Sequence, residues 1–256
     1  MGMSPPLEIV DDVGSTNAEM LARAGADPDN WPHLSALLAR RQHAGKGRSG
    51  RTWSTDEHSA LTFSILLRPA MPAQDWGWLP LLAGAAVVQV LRAEGTHEVP
   101  CGLKWPNDVV HLGGGQVLPE WGCLRKVGGL LAEVLPDGSG VVIGIGVNLD
   151  GTTLPVPWAG TVAQLGVSAP AEHLAEAIRE HVADLLTTWA ERADPHTLVA
   201  PVCLTLGTQV RITLPGGAEL EGEALDLEPD GSLRVRTHDG SEQVVLAGDV
   251  THVRAG

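Results

Sequence analysis

The sequence predicts an α+β fold: a strand-rich sheet flanked by helices, then a small all-β barrel. Three observations predict it. Apolar runs of strand length recur between residues 35 and 148. Two long helical segments, residues 75–94 and 171–192, run beside them. Beyond Pro195 the pattern changes to short alternating runs cut by Pro-Gly-Gly, Pro-Asp-Gly-Ser and His-Asp-Gly. At 256 residues and 43% apolar composition, the chain can bury one large core and one small one.

The elements follow in order. Thr16-x-x-Glu19 fits a capping box, with Ser15 as an alternative cap, opening a helix to about Ala24. Residues 35–40 and 61–67 read as buried strands. Gly45, Gly47 and Gly50 in the basic stretch between them disfavour a helix or a central strand. Residues 75–94 are apolar enough for a buried helix. Residues 103–105 and 109–112 read as strands separated by a Pro-Asn-Asp turn. Residues 111–125, with three consecutive glycines and a proline, are expected to form an exposed hairpin loop. Residues 127–135 and 141–148 form an adjacent strand pair. Leu174, Ile178, Leu185 and Trp189 make the apolar stripe of a core-facing helix. Residues 207–254 read as the barrel, and the boundary falls near residues 199–203, dividing the chain into 1–200 and 201–256.

Composition excludes several classes. The net charge of −14 argues against general binding of nucleic acid, whose phosphates need a surplus of Lys and Arg. Residues 76–91 are too short and too interrupted for a membrane span. No basic segment followed by an apolar run opens the chain, so no secretory signal is read. Cys101, Cys123 and Cys203 have neither disulfide-framework nor zinc-site spacing, so a cytoplasmic protein without a structural metal is expected.

Positive charge is distributed unevenly. Only three lysines occur, Lys46, Lys104 and Lys126, against fourteen arginines. Arg40, Arg41, Lys46, Arg48 and Arg51 put five positive charges into twelve residues without an acid. An acidic protein with one basic, Gly-rich segment points to a site for a small anion. Gly45-Lys46-Gly47-Arg48-Ser49-Gly50 matches the string G-x-G-x-x-G. A dinucleotide fingerprint, however, must open a helix, and here Arg51-Thr52-Trp53 and a strand follow. Arg40 stands where a Walker loop needs Gly. Lys104-Trp105-Pro106-Asn107-Asp108 combines a rare lysine with residues of low regular-structure propensity. Gly144 and Gly146, before Asn148, fit either close approach of a ligand or a β-bulge. Trp53 and Trp158 are candidates to stack on a purine or to pack.

Taken in order, these motifs resemble biotin–protein ligases. The likeness rests on Ser15-Thr16-Asn17, on Gln42-x-x-Gly45-Lys46-Gly47-Arg48-x-Gly50-Arg51-x-Trp53, and on Lys104-Trp105-Pro106-Asn107-Asp108. Lys126-x-x-Gly129 and Gly144-x-Gly146-x-Asn148 support it. It implies the biotin/lipoate ligase catalytic fold, a mixed β-sheet flanked by helices resembling class II aminoacyl-tRNA synthetases, plus an SH3-like C-terminal β-barrel. Some family members carry an N-terminal winged helix. Fourteen residues precede Ser15 here, so a repressor role and DNA binding are not expected.

The resemblance implies two steps. Biotin's carboxylate attacks the α-phosphate of ATP, with Mg²⁺ present, to give biotinyl-5′-AMP and pyrophosphate. A lysine of a biotin carboxyl carrier domain then takes the biotinyl group. By resemblance, Lys104 and Arg48 are the catalytic candidates. Ser15, Thr16, Asn17, Gln42, Gly45, Lys46, Gly47, Gly129, Gly144 and Gly146 join them at biotin. Arg51, Trp53, Asn107 and Asn148 join them at ATP. The Gly-rich loop is expected to close over the adenylate and exclude water. The alternatives are a lipoate–protein ligase, whose arginine-pair and triple-glycine signature lacks a match at the corresponding position, and a non-catalytic biotin-binding module. Monomer and homodimer are both open.

Overall fold

The computed structural model describes residues 5–53, 59–95, 100–113, 117–151, 154, 156–192 and 194–252. Residues 114–116 of the expected hairpin loop and Arg254 at the end of the expected barrel lie outside them. The chain opens with a strand that the sequence reading does not assign, β1 (Leu7–Val13), and continues into α1 (Thr16–Ala26). Ser15, the alternative cap, is the N-cap: its backbone is extended and its hydroxyl accepts from the Ala18 amide. After β2 (Ala36–Gln42), the basic stretch is more ordered than a loop. It forms a hairpin of β3 (Gly45–Lys46) and β4 (Thr52–Trp53) around a 3-10 turn at Arg48–Gly50. Next come β5 (Ala60–Leu67), α2 (Trp78–Glu94), β6 (Cys101–Lys104), β7 (Asp108–Leu112), β8 (Leu124–Val134) and β9 (Val141–Asn148). Helices α3 (Ala171–Arg192) and α4 (His196–Val199) lead to the C-terminal strands.

The large sheet has seven strands in the order β1-β2-β5-β9-β8-β7-β6. Strands β1 and β2 run parallel and the other neighbours antiparallel, so the sheet is mixed. Period-two alternation assigns its faces. Leu61, Phe63, Ile65 and Leu67 of β5, with Val141, Ile143, Ile145 and Val147 of β9, enter the main core. Helix α2 packs there against both the sheet and α3, which is why its sequence is apolar on all sides. On the opposite face Met20 and Ala24 of α1 and Trp31 cover Leu37, Leu66, Leu135 and Val142.

The C-terminal strands β10 (Gln209–Thr213), β11 (Glu219–Leu227), β12 (Leu233–Thr237), β13 (Glu242–Val245) and β14 (Asp249–His252) form one antiparallel sheet. Its order is β13-β12-β11-β10-β14. The expected barrel is therefore not closed by a ladder among the described residues: β13 and β14 are the two ends. A bulge between Ala224 and Asp226 bends β11. Its apolar face, with Val210, Ile212, Leu233 and Val235, joins the main core. Two indoles fasten this sheet to the larger part of the chain. Trp78 donates Nε1–H to Pro229 O at 2.7 Å, and Trp105 donates Nε1–H to Gly231 O at 3.1 Å. The segment before β10 also lies along the outer edge of β6, with Leu204 N donating to Leu103 O at 2.8 Å. That contact covers an otherwise open sheet edge. No helix among the described residues is long and apolar enough to cross a membrane.

Trp78 is 1% exposed and supplies both packing and a hydrogen bond between the two sheets. Trp78→Ala is expected to lower the unfolding free energy by about 3–5 kcal/mol, as truncation of a buried aromatic does. Urea denaturation followed by circular dichroism measures it. A change under about 1 kcal/mol would show that this junction contributes little.

Candidate active site

Residues opposite one another in antiparallel strands share a face. Thr62 lies opposite Gly146, Gly146 opposite Gly129, Gly129 opposite Asp108, and Asp108 opposite Lys104. One row thus crosses β5, β9, β8, β7 and β6, small and neutral at one end and charged at the other. A second row places Ser64 opposite Gly144 and Gly144 opposite Leu131. These rows line a cleft of about 630 Å³ whose other walls are the start of α1, the β3–β4 hairpin and one edge of the C-terminal sheet.

The neutral end is a hydrogen-bonded network. Gln42 Oε1 accepts from Thr16 N at 2.8 Å and from Thr16 Oγ1 at 3.2 Å. Ser64 Oγ donates to Asn17 Oδ1 at 2.7 Å and lies 2.8 Å from Thr16 Oγ1. Asn17 Nδ2 donates to Glu133 at 2.8 Å and to Leu131 O at 3.2 Å. Mutual bonding of this kind fixes each polar atom's direction before any ligand arrives.

The charged end concentrates cations in a low-dielectric place. Lys104 is 5% exposed, and burial, more than any neighbour, holds its ammonium below the usual lysine range. Asp108 is the nearby anion, 3.9 Å from Lys104 Nζ but only 2.6 Å from Lys126 Nζ. Arg48 is likewise lowered chiefly by burial. Its guanidinium reaches Asn107 Oδ1 at 3.4 Å, while Asn107 Nδ2 donates to Leu130 O at 2.8 Å, fastening the turn to β8. That turn carries a cis Trp105–Pro106 bond. Arg51, at the hairpin's far side, forms an ion pair with Asp249 of β14.

Nearly all residues expected from sequence converge here. Ser15, Thr16, Asn17, Gln42, Lys46, Gly47, Arg48, Arg51, Trp53, Lys104, Asn107, Gly129, Gly144, Gly146 and Asn148 line the one cleft. Gly45 does not line it. A Cβ there would sit 2.2 Å from Gln42 Nε2 and 2.3 Å from Trp53 O, so this glycine lets the hairpin close on Gln42. Gly144 and Gly146 leave room for this chain's own side chains. A Cβ on Gly144 would stand 2.3 Å from Asn17 Oδ1, and one on Gly146 would stand 2.5 Å from the Trp53 ring. The Trp53 indole N–H, seated over Gly146, is buried and finds no acceptor among the described residues. Asn148 faces the cleft while its amide donates to Gly160 O at 2.9 Å.

Residues 14–150 match the biotin/lipoate A/B protein ligase family, and residues 205–253 match the biotin protein ligase C-terminal domain. The first match alone spans more than half of the chain. The chain belongs to this family. It is 38% identical to the biotin–[acetyl-CoA-carboxylase] ligase of Mycobacterium tuberculosis, with 97% of this chain and 89% of that protein covered. It is 32% identical to the corresponding ligase of Paracoccus denitrificans, over 92% of this chain and 96% of that one. Among solved structures, the biotin protein ligase of Aquifex aeolicus in complex with biotin and ATP superposes with a TM-score of 0.76 at 26% identity. That superposition covers 97% of this chain and 99% of the other.

Sequence alone does not single out several lining residues. Thr62 could be found from the alternation Leu61-Thr62-Phe63-Ser64-Ile65, which puts it on the face opposite the core together with Ser64, the buried partner of Thr16 and Asn17. Asp108 reads as a turn cap in sequence but begins β7 and faces both lysines. Trp121 and Glu120 line the cleft from a segment expected to be an exposed loop, and Arg211, Thr213 and Asp249 reach it from the second sheet. No local signal marks these.

The buried Lys104 charge implies a conflict between stability and function. Its folded pKa is lowered, so the unfolded chain binds the proton more tightly. Below the folded pKa the burial penalty is fully present, and it is relieved as pH rises toward the ordinary 10.5. Lys104→Met is therefore expected to stabilise the protein near pH 7, on the order of 1 kcal/mol or more. The gain should shrink as pH approaches 10. Chemical denaturation at the two pH values checks this, and destabilisation at pH 7 would contradict it.

Proposed function

We propose that the chain is an ATP-dependent biotin–protein ligase. It activates biotin as biotinyl-5′-AMP and transfers the biotinyl group to a lysine of a biotin carboxyl carrier domain. The observation that carries this reading is the polarity of the cleft: a pre-bonded network of Thr16, Asn17, Gln42 and Ser64 at one end and two cations, the buried Lys104 and the half-buried Arg48, at the other. A neutral cyclic urea and a carboxylate are the two ends of biotin, and the cleft offers each its complement. The kinship with the M. tuberculosis ligase supports the same assignment.

The first step brings two anions together. Unit charges 4 Å apart interact by about 4 kcal/mol at an effective dielectric near 20, a barrier that a buried cation between them reverses. In this reading Lys104 bridges the carboxylate and the α-phosphate, and Arg48 holds the same groups from the hairpin. A carboxylate oxygen forms the new bond to phosphorus as the bond to the pyrophosphate oxygen breaks. Trp53 offers its ring to the adenine moiety across Gly146. Mg²⁺ would enter with the phosphates of ATP, whose oxygens suit a hard cation. In the second step the acceptor lysine's neutral amine attacks the acyl carbon and AMP leaves. A cytoplasmic location belongs to the same reading, and the β3–β4 hairpin over the cleft shields the anhydride from water.

Incubation of the purified protein with ATP, Mg²⁺ and biotin should yield biotinyl-AMP by mass spectrometry, and Lys104→Ala should abolish it. Lipoyl-AMP formed from lipoate in preference would move the assignment to the sister activity, and no adenylate with either acid would overturn it. Gly146, which the resemblance puts at biotin, also lies under the Trp53 ring, so Gly146→Val is expected to weaken ATP use roughly tenfold or more, by pushing that ring aside, and biotin binding less. Separate KM values for the two substrates test that, and an equal rise in both would refute the placement of the nucleotide over Gly146.

A further inference from the structure

Lys104 poses a problem that its carboxylate neighbour does not solve. Its side chain is 6% exposed, yet Asp108 stands 3.9 Å away and gives its close contact, 2.6 Å, to Lys126. Among the described residues no acceptor lies within hydrogen-bond reach of Lys104 Nζ. What faces the ammonium instead is an indole: Nζ is 4.8 Å from the centroid of the Trp121 ring. That distance lies inside the range of cation–π attraction, which strengthens as water is removed.

Trp121 is held in place rather than merely near. Leu118 and Gly122 exchange backbone hydrogen bonds of 2.8 Å around it, and Leu124 N donates to Trp121 O at 2.9 Å. Its ring stacks on Trp158 with centroids 6.0 Å apart and planes 6° from parallel. Trp158 is tied to the sheet in turn, because Lys126 N donates to Trp158 O at 2.7 Å and Ala159 bridges Lys126 in parallel. The segment between β7 and β8 thus presents one flat, electron-rich face to the buried lysine.

We propose that Trp121 is a positioning residue for Lys104: its ring holds the ammonium in the cleft without occupying any of its three N–H donors. A carboxylate in direct contact would occupy those donors and would have to be displaced when substrate anions arrive. Asp108 is kept from that role by Lys126, so one lysine takes the anion and the other takes the ring. This inference rests on the reading of the cleft as an adenylate-forming site. It gives a purpose to three features that reading leaves unused: the segment bearing Trp121, the Trp158 stack and Lys126.

The test compares Trp121→Leu, which removes the π face, with Trp121→Phe, which keeps one. The charged groups that act on Lys104 are Asp108 and Lys126 on the sheet, Arg51 on the hairpin and Asp249 on β14; Arg48, Glu120, Arg211 and Glu219 share the cleft, and neither substitution alters any of them. Competitive labelling with acetic anhydride across a pH series, read peptide by peptide, gives the titration midpoint of Lys104. Trp121→Leu should move that midpoint to lower pH and reduce biotinyl-AMP formation at the alkaline end of the profile by about three- to tenfold. Trp121→Phe should keep both near wild type. An unmoved or raised midpoint in Trp121→Leu overturns the proposal, as does equal impairment of the two variants. The labelling needs no substrate. A midpoint that moves in a protein making no adenylate would sustain the positioning role while the enzymatic reading fell.

Discussion

The molecule depends on one constraint, the strict alternation of side chains along paired strands. In β5 and β9 every odd position from Leu61 to Leu67 and from Val141 to Val147 enters the core beneath α2 and α3. The even positions are then fixed on the other face, and in register they line up across five strands. A slip of one residue would send Thr62, Ser64, Gly144 and Gly146 into the core and Phe63 and Ile143 into the cleft. Core packing and site geometry are thus one decision. The apolar face, with α2 buried on every side, supplies the energy that holds the opposite face open and polar. That arrangement explains why residues far apart in sequence, such as Gln42, Lys104 and Asn148, meet with little irregular structure between them.

Much of this was legible in the chain because it is written with short-range periods. Strands at 61–67 and 141–148, the helix at 171–192, the one read at 75–94 that begins at Trp78 after a 3-10 turn, and the change of character after Pro195 all follow from local pattern. The site residues in motifs could be read too, because a rare lysine beside Pro-Asn-Asp, or three glycines among cations, is conspicuous without neighbours. What was not legible is what depends on contact across the fold. Asp108 sits in a visible motif, but its meeting with Lys126 arises from the pairing of β7 with β8. Gly144 and Gly146 suggest space, yet only the structure shows Asn17 and Trp53 filling it. Strand β1 escaped notice because its alternation is weak and Ile9 is 41% exposed. The open C-terminal sheet differs from a closed barrel in the pairing of its two end strands, which leaves no mark in composition.

Electrostatics gives the cleft its direction. The protein carries a net charge of −14, so a long-range field would repel both biotin's carboxylate and ATP. The cleft reverses this locally with the buried Lys104 and the half-buried Arg48, where each charge acts at short range and with less screening by salt. Burial makes such charges costly, and the fold offsets the cost unequally. Lys126 has a carboxylate and Arg51 has Asp249, whereas Lys104 has neither within contact. Lys104, buried and without a close anion, is placed where the reacting anions must meet. A site in which every cation was paired would be more stable and less able to respond.

An aromatic face resolves that tension in a way a carboxylate cannot. A carboxylate 2.6 Å from an ammonium binds it through directed hydrogen bonds, and substrate would have to compete for the same protons. The Trp121 ring attracts the whole charge through its quadrupole and leaves the N–H vectors to point elsewhere. Fixing the ring therefore matters as much as having it, since a freely moving indole would follow the lysine instead of placing it. The backbone bonds from Leu118 to Leu124 and the Trp158 stack supply that rigidity from outside the motifs of the site. The charge that performs the chemistry and the surface that holds it ready thus come from different parts of the chain. Either could change in sequence without the other's motif showing it.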